Sequence, residues 1–284
     1  MVDGSGKESG YGLLKGKKGI IFGALDERSI AWRIALACHR EGAELALSNA
    51  PIALRLGQLD KLAEETGAEI YPCDVTDNSD VEKLMTDIKS KYGGIDFILH
   101  AIGMSPNVRK SIDYEDLNYR FFSQTLDISA ISLHKVLHYA DKAELLNDGG
   151  SVVALSYIGA QRIFSKYSDM NDAKALLESI SRNYGSRLAR RGIRVNTVSQ
   201  APTRTSAGTG IGGFDAMYTF ADKIAPLGNP DADECADYCV TLFSDLTRKV
   251  TMQNLYHDGG FSTAGISEEM IEGLAKVYGD DNSA

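Results

Sequence analysis

Two tyrosines and a lysine stand close together in the chain: Tyr157, nine residues, Tyr167, six residues, Lys174. A phenol beside an ammonium is a chemically useful pair. The positive charge favours phenolate character, so the tyrosine can offer a strong hydrogen bond to an oxygen that becomes negative during reaction. The lysine can also hold sugar hydroxyls. Tyr167 and Lys174 are seven apart, which is two helical turns, so a helix that already begins near Tyr167 carries both on one face. The alternative at this spacing is an ordinary amphipathic pair on a solvated face.

Other elements must position these groups. Residues 151–155, Ser-Val-Val-Ala-Leu, are short, β-branched and preceded by Gly149 and Gly150, and they read as a buried parallel strand. The tyrosines therefore follow a strand's carboxyl end, where ligands of open α/β sheets bind. From about Asp172 the chain reads as helix, with Ala175, Leu176, Ile180, Tyr184 and Leu188 at three- and four-residue steps. Near the start, residues 19–23 are an apolar run ending in glycine, and 29–42 read as a helix with Ser29 as its cap and Gly42 as its stop. Strand, loop and capped helix make a phosphate-binding start, because a helix amino terminus offers free N–H groups to a pyrophosphate. The Gly-x-Gly-x-x-Gly fingerprint is absent, since Gly23 is followed by Ala24, Leu25, Asp26, Glu27 and Arg28.

Further strands are expected at 43–48, 69–73, 95–101, 193–199 and 253–258. Helices are expected at 54–66, 79–91, within 114–142, and at 214–224 and 231–245, with Asp74 or Thr76 placed to cap the 79–91 helix. The alternation predicts an α/β fold: a single doubly wound Rossmann-type parallel sheet of about seven strands with helices on both faces. Residues 1–12 and 279–284 read as disordered tails around one domain over 13–278. Gly208, Gly210, Gly212 and Gly213 suggest a mobile lid near 203–224.

Among the 284 residues, 43% are hydrophobic and 24% charged, an ordinary globular composition, and the net charge of −9 opposes non-specific nucleic-acid binding. No run approaches the roughly 18 apolar residues of a membrane span. The start is polar and glycine-rich, so a cytoplasmic location is expected. Cys38, Cys73, Cys235 and Cys239 lack a pairing pattern, which suits reduced thiols. Cys235 with Cys239, or His134 with His138, could be half a metal site, but no further ligands stand at metal spacing and no metal is expected. Arg187, Arg190, Arg191 and Arg194 read as favourable charge at a helix end, with docking of an acidic partner as the alternative.

The Tyr157, Tyr167, Lys174 pattern resembles the enoyl-[acyl-carrier-protein] reductases of bacterial fatty-acid synthesis, a divergent branch of the short-chain dehydrogenase/reductase family. Commoner members of the larger family carry a serine upstream and a shorter gap between tyrosine and lysine, and this chain has neither. Ser29-Ile30-Ala31 also matches the wider phosphate loop of the branch, and the likeness runs from about Leu14 to Ala264. The resemblance implies reduction of a trans-2-enoyl thioester, with Tyr157, Tyr167 and Lys174 catalytic. It assigns Gly23, Ser29, Ile30, Asp74, Val75, Ile102, Gly103, Lys174, Thr203 and Thr205 to the cofactor, and Ser105, Tyr157, Met170 and Phe214 to the substrate. NADH is the implied cofactor; Ser48-Asn49-Ala50-Pro51 after the second strand brings neither acid nor arginine and leaves NADPH open. Acyl carrier protein is the implied partner and a homotetramer the implied assembly, with no nucleic acid or membrane. The lid helix departs from the family in carrying Gly212, Asp215 and Ala216 where basic residues are usual. Two rival readings stand beside this one: a carbonyl reductase acting on 3-ketoacyl thioesters, and a catalytically silent NAD(P)-sensing module.

Overall fold

Aliphatic runs too short for a helix become strands, and the amphipathic stretches between them become helices. The computed structural model describes residues 10–279. Its elements are β1 (Lys18–Phe22), α1 (Ile30–Arg40), β2 (Glu44–Asn49), α2 (Pro51–Leu56), α3 (Leu59–Thr66), β3 (Glu69–Pro72), α4 (Asn78–Tyr92), β4 (Ile95–His100) and α5 (Pro106–Arg109). The second half adds α6 (Tyr119–Leu126), α7 (Ser132–Lys142), β5 (Leu146–Ser156), α8 (Met170–Leu188), β6 (Arg194–Gln200), α9 (Phe214–Ile224), α10 (Ala232–Phe243), β7 (Asn254–His257) and α11 (Glu268–Tyr278). Residues 1–9 and 280–284, most of the two expected tails, lie outside the described residues.

All seven strands are parallel, in the order β3-β2-β1-β4-β5-β6-β7. Both faces of the sheet are buried, so alternate residues of one strand enter different cores. Ile20, Phe22 and Ile98 pack with α4, α7 and α8, whereas Ile21, Phe97 and Leu99 pack with α1 and α10. On the second side Trp32 of α1 is fully buried, and the rings of Phe97 and Phe243 stack with centroids 4.5 Å apart. The chain moves outward from β1 through β2 to β3 and then returns to β4 on the other side of β1. That reversal opens a crevice at the carboxyl ends of β1 and β4.

Several elements differ from the sequence expectation. The 54–66 segment is two helices, α2 opening on Pro51 and ending at Gly57, whose successor Gln58 donates from its backbone to Leu25. The cap of α4 is Asp77, which accepts from Ser79 and Asp80 N–H groups, so neither Asp74 nor Thr76 caps it. α11 has no counterpart among the expected helices. Among the described residues no helix is long and apolar enough to cross a membrane.

Candidate active site

β5 delivers the first tyrosine. Tyr157 follows its last residue, and its ring meets that of Tyr167 edge to face at 4.9 Å and that of Phe164 at 5.2 Å. Gly159 permits this crowding, since a Cβ there would lie 3.0 Å from Tyr157 Cδ1 and 3.1 Å from Tyr167 Cδ1. The Tyr157 hydroxyl lies 3.3 Å from Met217 Sδ on α9. Tyr167 ends a 3-10 turn and is followed by Ser168 at φ +45°, a left-handed conformation that no α-helix contains. α8 consequently begins only at Met170. Tyr167 and Lys174 are thus not two turns apart on one helix, which corrects the expectation drawn from their spacing.

The buried stripe of α8 also differs from the apolar pattern in the sequence. It comprises Met170, Ala173, Lys174, Leu177, Glu178, Ser181, Tyr184, Gly185 and Leu188, while Ala175 is exposed. Two of its polar residues, Lys174 and Glu178, lie on the inner face because they serve the end of β5 and the loop after it, whereas the buried Ser181 hydroxyl has no partner among the described residues. The Lys174 ammonium donates to the Leu155 carbonyl at 2.7 Å, and Glu178 accepts from Ser156 Oγ at 2.7 Å and from Gln161. Burial lowers Lys174 to a pKa of about 8, against a small upward pull from Glu178. Burial pushes both tyrosines up, Tyr157 with a further contribution from Tyr167. Tyr167 is therefore held as the protonated phenol, contrary to the expected phenolate character.

These side chains line a cavity of about 220 Å³ whose wall includes Ser105, Tyr157, Tyr167, Met170, Lys174, Thr203, Thr205 and Phe214. It opens into a cleft of about 980 Å³ along the crevice, lined by Gly23, Ser29, Asp74, Val75 and Thr205 among others. Ile30, Ile102, Gly103 and Arg109 border both. Every residue expected to touch cofactor or substrate lies on one or both walls.

Local chemistry explains the cleft. Gly23 ends β1 at φ +95°, and a Cβ there would drive into the Ala101 carbonyl oxygen. Ser29 stands at the N-cap position of α1 but does not cap it. Its hydroxyl donates to the Asp26 carbonyl at 2.7 Å and accepts from Leu25 N–H at 3.2 Å, leaving the first turn of α1 without a side-chain partner. Asp74 is engaged with Thr76, accepting from its N–H at 2.9 Å and its hydroxyl at 2.7 Å. Thr203 donates to the Ala201 carbonyl and Thr205 accepts from Gly208 N–H, so both threonines have partners within their own segment. Ser206 donates to Asp26, joining the 203–213 segment to the loop after β1. Arg191 pairs with Asp148 at 2.9 Å, and Arg194 is buried against Thr247 and Ser244, so these two do not form an open basic patch.

A family model described as Enoyl-(Acyl carrier protein) reductase matches residues 23–262. The chain belongs to the enoyl-(acyl carrier protein) reductase family. Enoyl-[acyl-carrier-protein] reductase [NADH] 1 of Rhizobium meliloti is 38% identical over 90% of this chain and 93% of its own length. The FabI-NADH complex of Alistipes finegoldii superposes with a TM-score of 0.89 at 55% identity, covering 90% of this chain and 92% of that one. The Bacillus cereus enoyl-acyl carrier protein reductase with NADP+ and indole naphthyridinone gives a TM-score of 0.84 at 33% identity, over 89% of this chain and 99% of that one.

Within this family member, sequence reasoning missed Glu178, Arg109 and a buried cluster around Asp169. Glu178 and Asp169 are charged, and a charged residue is seldom fully buried without a partner that the sequence does not show. The one available signal was their spacing: Glu178 lies one turn after Lys174, and Asp169 two residues after Tyr167.

Proposed function

We propose that this chain reduces trans-2-enoyl-[acyl-carrier-protein] thioesters to saturated acyl thioesters with hydride from NADH, the last step of the bacterial fatty-acid elongation cycle. The observation that carries the reading is a single cavity walled by Tyr157, Tyr167 and Lys174 that is continuous with a cleft at the sheet's reversal point.

The cleft fits a dinucleotide on features of its own. Gly23 leaves the β1 turn bare, the first turn of α1 has N–H groups that no side chain caps, and Lys174 is a buried ammonium facing the space shared with Gly103. Among the described residues lining the cleft the one cation is Arg109, which also borders the smaller cavity. Asn49 and Ala50 bring no arginine to a 2′-phosphate, which supports NADH over NADPH.

NADH bound there supplies the hydride. Tyr167, kept protonated by burial, donates a hydrogen bond to the thioester oxygen as that oxygen gains negative charge. Tyr157 packs against Tyr167 and orients the thioester, and Lys174 holds ribose hydroxyls and adds a positive field. Met170, Phe214, Ile211 and Met217 give the acyl chain an apolar wall. Residues 203–224 act as a lid over it, a homotetramer is the working assembly, acyl carrier protein is the partner, and the compartment is cytoplasmic.

The test follows NADH absorbance with a trans-2-enoyl thioester, beside NADPH and a 3-ketoacyl thioester. Turnover on the enoyl substrate is expected, with Tyr167→Phe lowering kcat on the order of 10²-fold. Turnover confined to the ketoacyl substrate, or cofactor binding with no turnover at all, would sink the proposal.

A further inference from the structure

Asp169 is fully buried, two residues beyond Tyr167, and its carboxylate pairs with no lysine or arginine among the described residues. Its Oδ1 accepts from Ser105 Oγ at 2.6 Å, and its Oδ2 accepts from Asn107 Nδ2 at 2.7 Å. Thr125 Oγ1 lies 2.9 Å from Oδ2 and 2.9 Å from the Phe121 carbonyl, sharing its proton between them. Although Asp169 stands at the N-cap position of α8, its side chain makes no bond to that helix. It reaches across to α5 and α6 instead.

The partners are themselves fixed. Ser105 accepts from Val108 N–H at 3.0 Å as the cap of α5, and Asn107 Oδ1 accepts from Asn118 N–H at 3.2 Å. One side of this knot is the wall of the small cavity, since Ser105, Val108 and Arg109 line it. The other side is the turn that carries Tyr167, whose backbone passes through the left-handed Ser168 before α8 begins. A turn of that kind keeps one shape only when its surroundings over-determine it. A buried carboxylate with three donors on two other elements provides such a constraint.

We infer that Asp169 is a positioning residue for the reductase reaction, locking the Tyr167 turn to the α5 wall so that the phenol meets the thioester oxygen at a fixed distance. The inference deepens the functional reading above and rests on it. Asp169 touches neither cofactor cleft nor cavity, so its removal acts on the geometry of the reacting groups.

The experiment exchanges donor and acceptor. An amide at Asp169→Asn has one acceptor oxygen where the carboxylate has two, so it cannot accept from both Ser105 Oγ and Asn107 Nδ2. Combining it with Asn107→Asp restores one donor facing one acceptor, and the carboxylate so introduced can still accept from Asn118 N–H while giving up the longer 3.4 Å contact from Asn107 Nδ2 to the Asn118 carbonyl. Asp169→Asn is expected to lower kcat/KM for a trans-2-enoyl thioester by about tenfold or more, since misplacement of about 1 Å can cost 10²-fold. The NADH dissociation constant, read by fluorescence, is expected to stay within about twofold, and the double variant to recover to within about threefold of the unmodified chain. A single variant as active as the unmodified chain overturns the inference, as does a parallel loss of NADH affinity. If the single variant does not fold, the double carries the test: folded, NADH-binding but crippled protein overturns the inference. An unmodified chain without turnover on the enoyl substrate sinks the functional reading and this inference together, whereas an active chain with indifferent variants sinks the inference alone.

Discussion

Lys174 is buried and hydrogen-bonded to a carbonyl rather than a carboxylate, an arrangement that destabilises a fold and is retained where it serves a site. Its folded pKa of about 8 lies below the ordinary 10.5, so below pH 8 both folded and unfolded chains carry the charge and the penalty is fully present. Between those values the unfolded chain binds more protons, and stability rises with pH. Lys174→Met is therefore expected to stabilise the cofactor-free protein at pH 7 by about 1–3 kcal/mol while abolishing turnover, with the advantage shrinking by pH 10. Thermal unfolding of both proteins at the two pH values checks this; an equal gap at both would remove the argument. Lys174 and the two tyrosines were legible in the sequence because their types and spacing are unusual together. Asp169, Glu178 and the inward hydroxyl of Ser105 were not. A polar residue on a buried face looks in a linear sequence like one on the surface, and only the partner across the fold reveals it.

Among the elements, the β1–α1 turn bears most directly on cofactor binding. Gly23→Ala would place a methyl group against the Ala101 carbonyl at a backbone angle an L side chain rarely adopts. It is expected to cost about 1–3 kcal/mol of stability and to weaken NADH at least tenfold, read by thermal unfolding and by fluorescence titration. Unchanged NADH affinity would mean that the cofactor does not approach this turn. Most strand positions were legible to within one or two residues because the apolar runs are short and bounded by glycine or polar residues; β5 is the exception, beginning at Leu146 and carrying inside it the Gly149 and Gly150 that read as its boundary. The start of α8 at Met170 was legible to within two residues of the expected Asp172, but the separation of Tyr167 from that helix was not, since the break is made by Ser168, a residue whose type gives no warning of a left-handed backbone. α11 carries a readable pattern, since Met270, Ile271, Leu274, Val277 and Tyr278 recur at three- and four-residue steps after the Ser267 cap, and Met270 packs against the cluster that holds Tyr157.

Over the whole molecule, the two cores flank a sheet whose alternation could be read from the sequence: neighbouring residues of β1 and β4 are both apolar, which requires cover on both faces. Phe243→Ala should open a cavity beside Phe97 and cost about 3–5 kcal/mol in denaturant unfolding. The stack lies in the α1–α10 layer away from the tyrosines, so turnover per folded molecule is expected to hold; a matching loss of turnover would tie that layer to the site. The order of the strands was not legible, because nothing local in β4 tells it to return beside β1. That order sets β3 and β7, four residues each, at the two margins. Pro72 at the end of β3 has no N–H to offer. The eleven-residue β5, with the chain's most β-prone run, sits between β4 and β6. A second molecule seeking to prolong the sheet therefore meets only brief ladders, one of them ending in proline, and intermolecular strand addition toward fibres has little purchase while the chain stays folded.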